Sequence, residues 1–155
     1  MTPSSFAGSG EPGRDASAEI DSPPLADRLR FAALDFRKLP SGLGAANVTL
    51  EWRDGRRFLG RAEGVSSSWA DLRLAVEATL KALAEFTKHT DVFELVGVKS
   101  IRAFDANVIM VSVMAKREGK PTQLVGCRIA EGDALQCAVL ATLQATNRLL
   151  GTPHD

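Results

Sequence analysis

The residues best placed to do chemistry sit where two loops meet two helices. The first group is Gly64, Ser66, Ser67, Ser68 and Asp71; the second is Gly132 and Asp133. A helix N-terminus offers unpaired N–H groups and the positive end of the helix dipole, which suit a carboxylate or phosphate. The serine hydroxyls add donors, and Asp71 and Asp133 could hold an amine. These junctions are therefore the candidate ligand-binding residues. The competing reading is ordinary helix capping by Ser68 and Asp133. Trp69 either covers such a pocket or staples the helix start.

Other reactive groups are scarce. The 155-residue chain has two His, two Cys and no Tyr. That excludes a Cys/His zinc cluster, and no serine has a base at a telling spacing. His89 follows Lys88 at a helix end, where it suits the negative terminus. The chain thus reads as non-enzymatic, with no cofactor and no metal. Cys127 and Cys137 are ten residues apart without a C-x-x-C spacing, and read as two reduced buried thiols. Nineteen basic residues balance nineteen acidic ones, against the basic excess of a generic nucleic-acid binder. Arg53, Arg56, Arg57 and Arg61 are interleaved with Glu51, Asp54 and Glu63, which reads as a solvated hairpin face. No run of about 18 apolar residues predicts a membrane span, and Met1–Ser5 lacks a secretory start, so a cytoplasmic location is expected.

These junctions need elements to hold them. Residues 1–24 are rich in Ser, Gly, Pro and Ala, and read as a disordered tail reaching to residue 45. Within it Leu25, Leu29, Ala32, Ala33 and Phe36 recur at helical spacing, predicting a short helix at 25–37. A domain at 46–151 follows. Val48, Leu50 and Trp52 alternate with polar residues, Asp54-Gly55 is a hairpin turn, and the return strand runs from Arg57 to Gly64. Its inward residues Phe58, Gly60, Ala62 and Gly64 are mostly small, so a helix can approach closely. Ser68-Trp69-Ala70-Asp71 has capping-box spacing before an apolar stripe from Leu72 to Phe86. Strands are expected at Val92–Ala103, Ala106–Lys116 and Pro121–Ile129, and a last helix at Asp133–Leu150. Strand 108–115 is apolar on both faces, so both need cover, in the sheet centre or from a partner subunit.

The two helices repeat. LRLAVEATLKA at 72–82 and LQCAVLATLQA at 135–145 share seven of eleven positions. The preceding turns correspond, and Gly60 matches Gly126 after a two-residue adjustment. The expected fold is α+β: a two-layer sandwich, an internal repeat of order ββα-βββα, with both long helices on an antiparallel sheet. Neither unit buries its apolar face alone, so the two pack as a pseudo-twofold pair.

Two tandem units of this kind resemble the C-terminal regulatory domain of 2-isopropylmalate synthase and its relatives such as citramalate synthase. The likeness covers about residues 47–150. It is carried by Phe93-Glu94-Leu95, Ile101-Arg102-Ala103-Phe104-Asp105-Ala106, Gly126, Asp133-Ala134-Leu135-Gln136-Cys137-Ala138 and Ala145-Thr146-Asn147-Arg148-Leu149. The first half matches through Thr49-Leu50-Glu51, Asp54-Gly55, Gly60, Gly64, Asp71 and Ala75. The family's Gly-rich, Pro-containing turn before its first helix corresponds to Gly64–Trp69 here. The resemblance implies a leucine-sensing, dimerising domain standing without its catalytic barrel. The expectation is a homodimer with a small-molecule effector such as an amino acid. The alternative is RNA binding: residues 69–151 read helix, three strands, helix, the order of a double-stranded-RNA-binding domain. Such domains carry lysines at the last helix start, where this chain has Glu131-Gly132-Asp133.

Overall fold

The computed structural model describes residues 29–150. Three strands, β1 (Arg30–Leu39), β2 (Leu43–Glu51) and β3 (Arg57–Val65), precede helix α1 (Ser68–Phe86). Three more, β4 (Asp91–Ala103), β5 (Ala106–Arg117) and β6 (Lys120–Ile129), precede α2 (Ala134–Leu150). The α+β sandwich is thus built from two three-stranded antiparallel sheets, each ordered by simple meander, with one helix on each.

The first unit has one strand more than the sequence pattern suggests. Residues 30–39 form β1, hydrogen-bonded to β2 from Arg30↔Glu51 to Leu39↔Leu43. From Arg30 onward the expected helix over 25–37 is therefore a strand; residues 25–28, the tail to residue 24, Gly151 and His154 lie outside the described residues. Two features explain the misreading. The register slips between Phe31 and Ala33, so the two-residue alternation is broken by one inserted residue. The remaining Leu34 and Phe36 face the core while Asp35 and Arg37 face outward, a pattern too short to outweigh helical spacing.

The complete repeat is then βββα twice, and the bulge repeats with it. In β4 the register slips between Leu95 and Gly97. Phe31 and Leu95 pair with Leu50 and Val113, and Ala33 and Gly97 with Thr49 and Ser112. The inward triads also correspond: Ala46, Val48 and Leu50 on β2 against Ile109, Val111 and Val113 on β5, all buried.

Small residues set the helix-to-sheet distance. Gly60 faces Val48 on β2, and a Cβ there would lie 1.9 Å from the Ala78 carbonyl oxygen. Gly126 faces Val111 on β5, and a Cβ there would lie 1.9 Å from the Ala141 carbonyl oxygen. Helix backbone rests directly on strand backbone at both places. Beside each contact a buried threonine closes its hydroxyl onto its own helix, Thr79 to the Ala75 carbonyl and Thr142 to the Ala138 carbonyl, both at 2.7 Å. A buried hydroxyl left unmade would cost about 1–3 kcal/mol. The helices also touch each other, α1 reaches across to β4, and α2 to β1, so one continuous core spans both units. Asn147 Nδ2 donates to the Leu29 carbonyl at 3.3 Å, tying the start of β1 to α2.

Candidate functional site

At the first junction the structure brings the candidate residues together and uses their side chains locally. Ser67, with extended backbone, is the N-cap: its hydroxyl accepts from the Ala70 N–H at 3.0 Å. Ser68 is the first helical residue, not the cap that the capping-box spacing suggested. The β3 strand runs to Val65, which places the cap one residue earlier. Ser66 donates its hydroxyl to Asp71 Oδ1 at 2.8 Å, and Asp71 is buried. Gly64 lies on β3, where a Cβ would make ordinary contact with Leu74 Cδ2 at 3.4 Å. Trp69 is mostly exposed, with the Arg73 guanidinium 5.5 Å from its ring centre.

The second junction follows the same logic. Asp133 Oδ1 accepts from Leu135 N–H at 2.9 Å and from Gln136 N–H at 3.4 Å. Gly132 turns the chain at φ 73°. Both residues line a shallow cavity of about 380 Å³ with Arg128, Glu131, Gln136 and Cys137. The side-chain hydrogen bonds of Ser66, Ser67 and Asp133 stay within their own junctions, while the Ser66 N–H donates to the Gly42 carbonyl and the Ala130 N–H to the Asn107 carbonyl, both at 2.8 Å.

A larger cavity, about 430 Å³, lies elsewhere, between α1 and the start of β4. Its apolar floor includes Leu80, Ala84, Phe93 and Leu95, and the charged Arg73, Glu77, Lys81 and Glu94 ring it with His89. Its size falls within the roughly 300–1,000 Å³ common for small-molecule sites. Arg73 and Glu77 approach at 3.9 Å, and His89 Nε2 lies 3.1 Å from Glu85 Oε2. Below the rim Asp91, its side chain fully buried, receives Arg117 Nε at 3.3 Å and Nη2 at 3.1 Å. None of the junction residues lines this cavity. Its sequence signal was present in part: Arg73, Glu77 and Lys81 recur every four residues on the polar side of α1.

The outer faces of the two sheets differ sharply. On the first, Arg30 and Arg57 both reach Glu51 at 3.6 Å, Arg37 pairs with Asp35, and Arg61 pairs with Glu63. At its hairpin Asp54 accepts from the Arg56 N–H at 3.0 Å, which, with the Arg56 guanidinium, holds its carboxyl below the usual carboxylate range. This is the solvated charged face that the arginine pattern suggested.

The outer face of the second sheet is mostly apolar, with a few charged and polar residues set into it. It runs in five cross-strand rows: Val92–Lys116–Pro121, Glu94–Met114–Gln123, Gly97–Ser112–Val125, Lys99–Met110–Cys127 and Ile101–Val108–Ile129. Val96, Val125 and Ile129 are each about half exposed. Cys127 is exposed here, not buried as expected, because Gly126 takes the inward position beside it; both cysteines are free thiols. The helices pack on the opposite face, α1 reaching β4 and α2 lying on β5 and β6. The middle strand is thus central in its sheet, yet only one of its two apolar faces is covered by described elements.

Among the described residues no group of three or more His, Cys, Asp or Glu is placed to hold a metal ion, and no helix is long and apolar enough to cross a membrane. Comparison with known protein families finds no match for the chain, and comparison with curated proteins finds no significant relative.

Proposed function

We propose that this chain is a non-enzymatic regulatory module that homodimerises through the outer face of its second sheet and takes a small metabolite as effector. The observation that carries the reading is the contrast between the faces. One sheet presents mostly self-paired charges to water, with Leu59 and Val65 exposed among them on β3; the other presents the larger apolar set Val96, Val108, Met110, Met114, Val125 and Ile129. A contiguous apolar face of this kind marks an interaction surface. The tandem βββα units support the resemblance to the regulatory domain of 2-isopropylmalate synthase, since the extra strand makes the halves equal. The cavity between α1 and β4 suits an amphoteric ligand such as an amino acid: charges of both signs surround an apolar floor. A cytoplasmic setting fits two free thiols. The RNA alternative gains nothing from α2, whose N-cap is the carboxylate of Asp133.

Light scattering tests the dimer, and a thermal-shift screen against amino acids, 2-oxo acids and nucleotides tests the effector. The expected results are a particle of twice the 16.6 kDa chain mass and a stabilising hit. Ligand at a hundredfold excess over its Kd stabilises by about 2.7 kcal/mol. Arg73→Ala or Lys81→Ala should abolish that hit. A monomer refutes the dimer; no hit from any class refutes the effector.

A further inference from the structure

We infer that the two copies pack their second sheets face to face and antiparallel, so that Glu94 of each copy meets Lys99 of the other. This rests on the reading of that face as the homodimer interface, and adds the geometry by which the second copy is recognised.

Edge-to-edge pairing is the other way for sheets to join, and both edges are blunted against it. On β6 the outward N–H of Cys127 donates to Gln144 Oε1 at 2.7 Å, a side chain that reaches the edge from α2. On β4 the register slip at Leu95–Gly97 interrupts the ladder. Side-chain capping and bulges are devices that keep edges from pairing. The face has no such device.

A twofold interface brings the same patch of each copy together. Three charged residues stand on this face: Glu94 and Lys99 on β4, and Lys116 on β5 in the end row, where it is exposed at the rim and can keep its ammonium in water. Glu94 and Lys99 stand one row to either side of the Gly97–Ser112–Val125 row. A twofold axis along the strands would set β4 over the partner's β6 and β5 over β5, putting Glu94 against Gln123, Lys99 against Cys127 and Lys116 against a second Lys116. An axis across the strands, along the Gly97–Ser112–Val125 row, sets β4 over β4 in reverse. Glu94 then faces Lys99 twice, and Met114 faces Met110 twice. Small residues, Gly97 and Ser112, lie at the axis, where two backbones come closest. Removing a charge from water is costly unless it meets its opposite, so the second arrangement is favoured and the first disfavoured.

A charge-reversal cycle tests this, read by sedimentation equilibrium of the full chain at low salt. Glu94→Lys sets lysine against lysine twice, and Lys99→Glu sets glutamate against glutamate twice. Each should weaken the dimer by about tenfold or more, while the double variant should return to within about threefold of the parent Kd. Glu94→Gln, which adds no like charge, should weaken it less than Glu94→Lys. Circular dichroism checks that each variant keeps its fold. A dimeric parent whose double variant is no tighter than the single variants overturns the antiparallel register alone. So does a dimeric parent whose single variants dimerise unchanged. A monomeric parent, as expected for a face kept for a different protein, overturns the homodimer itself.

Discussion

Gly60→Ala should be among the most damaging single-methyl additions in this molecule. The new Cβ would lie 1.9 Å from the Ala78 carbonyl oxygen and 2.5 Å from the Ala82 nitrogen. Ordinary contacts begin near 3.4 Å, so helix α1 must withdraw by about 1.5 Å, and the obstacle is backbone that no rotamer change can move. Overpacking of this kind costs about 1–3 kcal/mol, and the upper end applies because Val48, Val76 and Leu83 around the contact are fully buried. Gly126→Ala repeats the clash in the second unit, against Ala141 and Ala145. Gly64→Ala is the control: on the same face of β3 its Cβ meets only Leu74 Cδ2 at 3.4 Å. Urea unfolding followed by circular dichroism should show losses of about 3 kcal/mol for Gly60→Ala and Gly126→Ala, and less than about 0.5 kcal/mol for Gly64→Ala. If Gly60→Ala were as stable as the parent, the direct seating of helix on strand would be refuted.

Further outcomes follow from particular contacts. Ser67→Ala should cost about 1 kcal/mol by loss of the cap, whereas Ser68→Ala should stay within about 0.5 kcal/mol; equal effects by urea unfolding would contradict the assignment of the cap. Arg117→Met removes the guanidinium from the buried Asp91 carboxylate and should cost about 3 kcal/mol in the same assay, with Asp91→Asn in that background recovering part of the loss. Phe104 is fully exposed at the β4–β5 turn with φ 53°, and Asp105 follows at φ 62°. Such a turn favours Asn-Gly, so replacing both should raise stability by about 1 kcal/mol; a fall in melting temperature would show that the phenyl ring makes a stabilising contact.

The legible parts of the fold were those with strong local signals. Asp54-Gly55 marked the first hairpin, the stripe from Leu72 to Leu83 marked α1, and the matching helices marked the duplication. The strand β1 was not legible, because its inserted residue at the bulge broke the alternation and left Leu29, Ala32, Ala33 and Phe36 on helical spacing. What decides between strand and helix there is the open edge of β2, a tertiary partner absent from any local window. The matching bulge in β4 could not be read for the same reason. At the junctions, the residue types were legible but not their use: whether Ser66 points to a ligand or to Asp71 depends on where β3 ends. The cavity between α1 and β4 depends on how a helix of one unit leans on a strand of the other, which no spacing within either element encodes.

The central claim is that the outer face of the second sheet is buried against a second copy. Met110 lies near the middle of that face, half-buried on the central strand with Lys99 and Cys127 beside it. Sedimentation velocity of the parent chain and of Met110→Glu, from low to high micromolar concentration, measures the claim directly. The expected result is a dimer for the parent at every concentration and a folded monomer for the variant, since a carboxylate at that place would be buried against the apolar Met114 of the second copy. A variant that stays dimeric with its fold intact would place the interface elsewhere and contradict the account.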